Sequence, residues 1–373
     1  MSANINHIVV HSLNKEQHKP IEQSQIRKAV LDPKNEYVQK LVDSLIDVYG
    51  TRYNTAQYGV FAGGAARGSF PDQFESYAKL KSTTDASFLT VAEEAMNRLY
   101  QQASQSSAAS GGYIVFADFE NQAKRYFLIV MVKEKPGLAL SEKLEPAELM
   151  MLDLSRVHQG ARINFAHLKA FKDATAEEQQ ELRYLSFITP RSAQETAGYF
   201  VTALGCVAGA EASRATDTVL REGKRLFRET ESLRPNREAF EMDLLAYFES
   251  QKQSKLPVSL TAVVHLVQKH IPLSAADEAQ AITDSFVAKL NSDECQVPPE
   301  FSVHSGALKR HTHITGKANA WSMAFDRQAL GTTQAAQVFY NPVQKTLTVR
   351  ELPEEMVQQI EAELAAQQGK DKP

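Results

Sequence analysis

A chain of 373 residues exceeds the usual size of one domain and predicts two domains, or one large mixed domain with a helical extension. Its 43% apolar and 23% charged content is ordinary for a globular protein with a real core. The net charge of −4 excludes nucleic-acid binding by bulk charge, so any such site has to be a local basic patch on an acidic body.

The first residues, MSANINHIVVHSLNKEQ, are too polar for a secretory leader, and nowhere do 18 apolar residues run consecutively. Only Cys206 and Cys295 are present, far apart and in no CxxC motif, which fits a reducing compartment. A soluble cytoplasmic protein without a membrane partner is expected.

Residues 5–13 predict an opening strand, followed by helices over 22–31 and 34–49. In the second helix Val38, Leu41, Val42, Leu45, Ile46 and Tyr49 share one face, with Asp32-Pro33 as its start signal. AGGAARGSFP (62–71) reads as a turn-rich insert, residues 85–102 as an amphipathic helix, and QASQSSAASGG (102–112) as a polar linker. YIVFADF and RYFLIVMV flank ENQAK as a hairpin, with further strands over 148–155 and 160–165. No βαβ rhythm is present, so the first half is α+β with an antiparallel sheet. A helix is predicted from Pro190 to about Cys206. Residues 210–290 read as helical, broken at Arg234-Pro235, Leu256-Pro257 and Ile271-Pro272. Beyond Val297-Pro298-Pro299, the segments FSVHS, KRHTHITGK, NAWSMAFD, QVFYNP and TLTVREL predict a β-meander. A terminal helix over 353–368 follows, with Val357, Ile360 and Leu364 on one face. The expected organisation is an α+β domain over 1–190, a helical region over 191–296 and a small β-meander with its C-terminal helix over 297–373.

Motifs for chemistry are scarce. His304, His311 and His313 fall short of the ligand count and spacing of a zinc site, so no metal is expected. The glycines of Gly63-Gly64-Ala65-Ala66-Arg67-Gly68-Ser69 are spaced like a phosphate loop, but the lysine is missing, and the segment reads as a mobile surface loop. No nucleophile elbow or catalytic cysteine context occurs. No cofactor and no enzymatic activity are expected.

Charge distribution says more. Residues 301–325 contain no acid but carry Lys309, Arg310 and Lys317 together with His304, His311 and His313. Residues 155–172 are also acid-free, with Arg156, Arg162, Lys169 and Lys172, and so are residues 48–71, with Arg52 and Arg67. Segregated cations on an acidic chain suit phosphate-backbone binding, which releases counterions. Basic strands that only keep sheet edges soluble would give the same pattern.

The collinear set YGVF (58–61), LDLSRVHQGARINFAHL (152–168), RYLSF (183–187), ALG (203–205) and WSMAFD…VFYNPVQKTLTV (321–349) resembles the bacterial NdpA-type nucleoid-associated proteins over nearly the whole chain. The resemblance implies a protein on the nucleoid that binds double-stranded DNA with little sequence preference, as a homodimer. Lys309, Arg310, Lys317, Arg156, Arg162 and Lys169 are the expected phosphate contacts, with Arg183 matching the arginine of RYLSF and His311 and His313 as added donors. The alternative is an adaptor whose helical middle docks DNA-processing proteins, with only slight DNA contact of its own.

Overall fold

The computed structural model describes residues 2–51, 56–140, 142, 144–155, 157–180, 182–188, 194–209 and 212–370. They form two compact units, Met1–His304 and Ser305–Pro373.

The first unit is built on a seven-stranded sheet, antiparallel throughout, in the order β1-β3-β4-β7-β8-β2-β9. Its early elements are β1 (Asn4–Leu13), α1 (Glu36–Val48), β2 (Gln57–Phe61), α2 (Phe70–Ala78) and α3 (Asp85–Gln105). The long hairpin β3 (Gly112–Asn121) and β4 (Lys124–Val132) turns through Gln122 and Ala123, both at positive φ. Next come β5 (Glu134–Leu140), β6 (Pro146–Leu152), β7 (Gln159–Asn164), α4 (Phe165–Asp173), α5 (Ala176–Gln179), β8 (Leu185–Ile188), α6 (Gln194–Ala203) and β9 (Cys206–Ala208). Side chains alternate across each strand. Phe127, Ile129 and Met131 therefore join a core with Phe70, Phe74, Phe88 and Leu99 of α2 and α3. Leu128, Val130 and Val132 join a second core with Val42 and Leu45 of α1. A strand buried on both faces is a continuous apolar run, and FLIVMV is one.

Three expectations for this region change. Residues 22–31 form no helix. Ser12 and Gln25 exchange backbone hydrogen bonds at 2.9 and 3.0 Å, and Leu31 N donates to Ile8 O at 2.8 Å. The segment thereby covers the free edge of β1, an exposure that edge strands otherwise leave open. The cap of α1 is Asn35, whose Oδ1 accepts from Tyr37 N at 2.9 Å, not Asp32-Pro33. The glycine-rich insert is pinned rather than mobile. Ala62 N donates to Gly205 O at 2.8 Å, Arg67 pairs with Asp72 and Glu75, and Phe70, Pro71, Phe74 and Tyr77 are buried.

The helical region α7 (Ala212–Glu229), α8 (Arg237–Ser254), α9 (Leu260–Lys269) and α10 (Ala279–Leu290) breaks at the three expected prolines, with the short pair β10 (Val258–Ser259) and β11 (Glu300–Phe301) beside it. Phe227 and Phe240 stack across α7 and α8 at 3.9 Å. Because β11 pairs with β10, Phe301 of FSVHS lies with this unit, and Ser305 opens the second.

The second unit holds α11 (Ser305–Thr312), β12 (His313–Ala318), β13 (Trp321–Asp326), β14 (Leu330–Gly331), β15 (Val338–Asn341), β16 (Thr346–Val349) and α12 (Glu354–Lys370). Its strands divide into the hairpin β12–β13 and a three-stranded sheet in which β14 and β15 are parallel, rather than one meander. Of KRHTHITGK, the first four residues end a helix and the rest form a strand. Mixed α+β architecture with a terminal helix is as expected.

Candidate nucleic-acid interface

In the second unit the acid-free segment spans α11, β12 and most of β13. Ala307 and Leu308 are buried, and the helical turn that buries them leaves Lys309 and Arg310 exposed in the last turn of α11. There the two cations also complement the negative end of the helix dipole. His311 is half-buried on the same turn. In the hairpin, strand alternation places His313, Thr315 and Lys317 on one face, opposite Asp326, Ala324 and Ser322. The other face carries Ile314, Met323, Phe325 and Trp321. Lys317 is exposed, and His313 Nδ1 lies 2.7 Å from Thr312 Oγ1. One polar strand face with an exposed lysine, reached from a helix end with two exposed cations, is a surface that an anionic backbone can track.

The first-unit candidates divide by depth. Arg162, expected as a phosphate contact, is a core cation. Its neighbours Ala161 and Ile163 face the large core, so Arg162 points to the opposite side, between the rings of Tyr49 and Tyr126 at 4.6 and 4.9 Å. Its Nη2 donates to Asp293 Oδ1 at 2.8 Å, with both side chains less than a fifth exposed. Tyr126 and Asn164 donate to the other carboxylate oxygen at 2.7 and 3.1 Å. Burial alone would raise the Asp293 carboxyl, but Arg162 and these donors outweigh it and hold the group below its ordinary range. Arg183 is likewise turned to the backbone, donating to Gly209 O at 2.8 Å and Leu182 O at 2.7 Å. It ties the end of α5 to the strand that follows α6. Arg156, together with Arg52, lies outside the described residues.

Lys169 keeps its expected place at the surface, on α4. It lines a cavity of about 530 Å³ with Lys79, Arg125 and Lys172, over a floor that includes Phe165 and Leu168. Arg125 stacks on Phe165 at 4.4 Å and forms an ion pair with the buried Asp118 at 2.5 Å. Lys172 holds Glu75 at 2.8 Å. Sequence reading missed Lys79 and Arg125 here, since Lys79 follows a helix most of which, after Pro71, carries no predicted element, and Arg125 is 44 residues from Lys169 along the chain. The signal available was the FPDQFESYA spacing, whose Phe70, Phe74 and Tyr77 recur at helical intervals.

Among the described residues, no group of three or more His, Cys, Asp and Glu is placed to hold a metal ion, and no helix is long and apolar enough to cross a membrane.

Comparison with known proteins finds relatives over most of the chain's length. A nucleoid-associated protein of Pseudomonas entomophila is 25% identical over 87% of this chain and 88% of its own length. Nucleoid-associated proteins of Azotobacter vinelandii (25% identical, 95% and 97% covered) and Pseudomonas paraeruginosa (24% identical, 98% and 99% covered) are similar end to end. The family model described as nucleoid-associated protein YejK matches residues 9–357, across both units, and the chain belongs to that family.

Proposed function

We propose that the protein binds double-stranded DNA on the bacterial nucleoid, in the cytoplasm, with little sequence preference, and that it acts as a homodimer with no catalysis of its own. The observation that carries this reading is the acid-free segment 301–325, where Lys309, Arg310 and Lys317 stand exposed on a chain of net charge −4. Lys169 and Lys79 supply a separate cationic region in the first unit. Family membership supports the nucleoid assignment. Recognition is by backbone charge, since α11 ends in its cations and offers no long polar face to a groove.

Duplex affinity is expected to fall steeply with salt, alike for unrelated sequences. Replacing Lys309, Arg310 and Lys317 together by Ala should weaken every duplex and lower the slope of log affinity against log salt by about one per cation lost. Fluorescence anisotropy across a salt series measures both. A flat salt dependence overturns the electrostatic reading, and an unchanged slope in the triple variant moves the contact away from the second unit.

A further inference from the structure

β5 and β6 leave the main sheet as a two-stranded ribbon that, among the described residues, pairs only with itself. Its base is fixed: Lys135 Nζ lies 2.8 Å from Asp153 Oδ1, and Asp153 N donates to Lys133 O at 2.8 Å. Beyond that base, Leu138 is 84% exposed, Leu140 67%, Leu149 53% and Met150 51%. An isolated two-stranded ribbon is marginal in water, and apolar residues gathered at one projecting element mark a contact surface. Residues 134–152 also carry Glu134, Glu142, Glu145 and Glu148 against two lysines, so the arm is both apolar and acidic.

The same unit holds the complementary surface. The cavity beside Lys169 joins an apolar floor, with Phe165, Ala166 and Leu168, to the lysines Lys79, Lys169 and Lys172, with Glu75 and Asp173 the acids of its lining and Arg125 already paired with Asp118. The two features lie at opposite ends of one strand pair. β4 runs from Lys124 to Val132 and β7 returns from Gln159 to Asn164, with Met131 opposite Gln159 and Tyr126 opposite Asn164. The ribbon leaves from the Val132–Gln159 end, whereas Arg125 and Phe165 of the cavity are at the other. In a single chain the arm does not fill the cavity, since Leu138 and Leu140 stay exposed. Two copies related by a two-fold axis satisfy both surfaces reciprocally, each arm entering the other's cavity. A foreign partner would have to supply an acidic apolar element and a basic apolar pocket at once.

We infer that the protein dimerises by exchange of the 134–152 ribbon, whose Leu138, Leu140 and Glu148, on one face, seat on the apolar floor and lysine rim of the cavity beside Lys169 in a second copy of the chain. This rests on the homodimer stated above and names its surface.

Sedimentation velocity of the full chain over a range of concentrations tests it. The parent protein should be dimeric. Leu138→Asp/Leu140→Asp should raise the dimer dissociation constant by at least about 100-fold, because each leucine loses a buried apolar contact. The two side chains are exposed in a single chain, so the circular dichroism spectrum should not change. Glu148→Lys and Lys169→Glu should each weaken the dimer by about tenfold, and the two together in one chain should restore it. Recovery in the swapped variant assigns the pair across the interface and excludes misfolding as the cause. A dimer unchanged in the leucine variant overturns the ribbon assignment while leaving the homodimer intact. A parent protein that stays monomeric at every concentration overturns the homodimer itself.

Discussion

Asp293 receives hydrogen bonds from three side chains that come from two strands, and it is the counter-charge of a buried arginine. Removing one member of such a pair leaves a charge without a partner in a poorly hydrated site, which costs far more than the pair itself contributes. Asp293→Ala should therefore destabilise the protein by about 3–5 kcal/mol in urea unfolding, and Arg162→Met/Asp293→Leu should recover most of that loss. A double variant as unstable as the single one would show that the hydrogen bonds of Tyr126 and Asn164, not the charge, set the cost. His11 offers a test by pH. Burial against Phe116 pushes its imidazole from 6.5 down to about 4, so at neutral pH it is held uncharged. The unfolded chain takes up its proton first. Stability is then whole above about pH 6.5 and is lost as pH falls toward 4, by roughly 1–2 kcal/mol at pH 5 once partial screening by solvent is counted. His11→Gln should flatten that limb of the stability profile, and a profile with the same slope would place the proton elsewhere.

At the level of elements, glycine positions show how tightly the insert is held. Gly205 sits at φ +60°, and a Cβ there would come 1.8 Å from Arg67 O. Gly64 has a similar φ, +58°, but open space around it. Gly205→Ala should cost at least about 2 kcal/mol more than Gly64→Ala, since both pay the left-handed strain and only one meets the backbone. Equal thermal midpoints would mean that the loop gives way. Periodicity made the long elements legible: the β3–β4 hairpin, α1, α3 and the proline-broken helices all lie where their apolar spacing puts them. It failed where tertiary contacts overrule local preference. Residues 22–31 have helix-forming composition, yet their backbone groups pair with β1, and Ile21, Ile26 and Val30 pack on the core without helical hydrogen bonds. Glycine and proline in AGGAARGSFP masked the start of α2, although Pro71 sits in the first turn, where proline is tolerated.

Over the whole molecule, the candidate site was legible only as charge. Gaps in the acids marked Lys309, Lys317 and Lys169, which are at the surface. The same signal marked Arg162, which serves the interior, because acid-free composition does not distinguish a strand's outer face from its inner one; Arg183, named from the RYLSF resemblance, is likewise turned inward. The partner that explains Arg162 is 131 residues away in sequence, beyond any local pattern. Much of the first unit's polar wiring has this long reach. Asn291 donates to Ala56 O at 2.9 Å and accepts from Ala56 N at 2.7 Å, closing the sheet region over 235 residues. During synthesis at roughly 5–20 residues per second, the strand side of that contact waits on the order of 10–50 s for its other half to be made. For that interval a nascent chain carries the Ala56 backbone without Asn291, and from residue 162 onward it also carries Arg162 without Asp293, so the N-terminal sheet cannot finish its interior vectorially. The sheet's completion is therefore timed by translation of the segment after α10, and a ribosome stalled before residue 291 would leave an open, sticky intermediate for chaperones to hold.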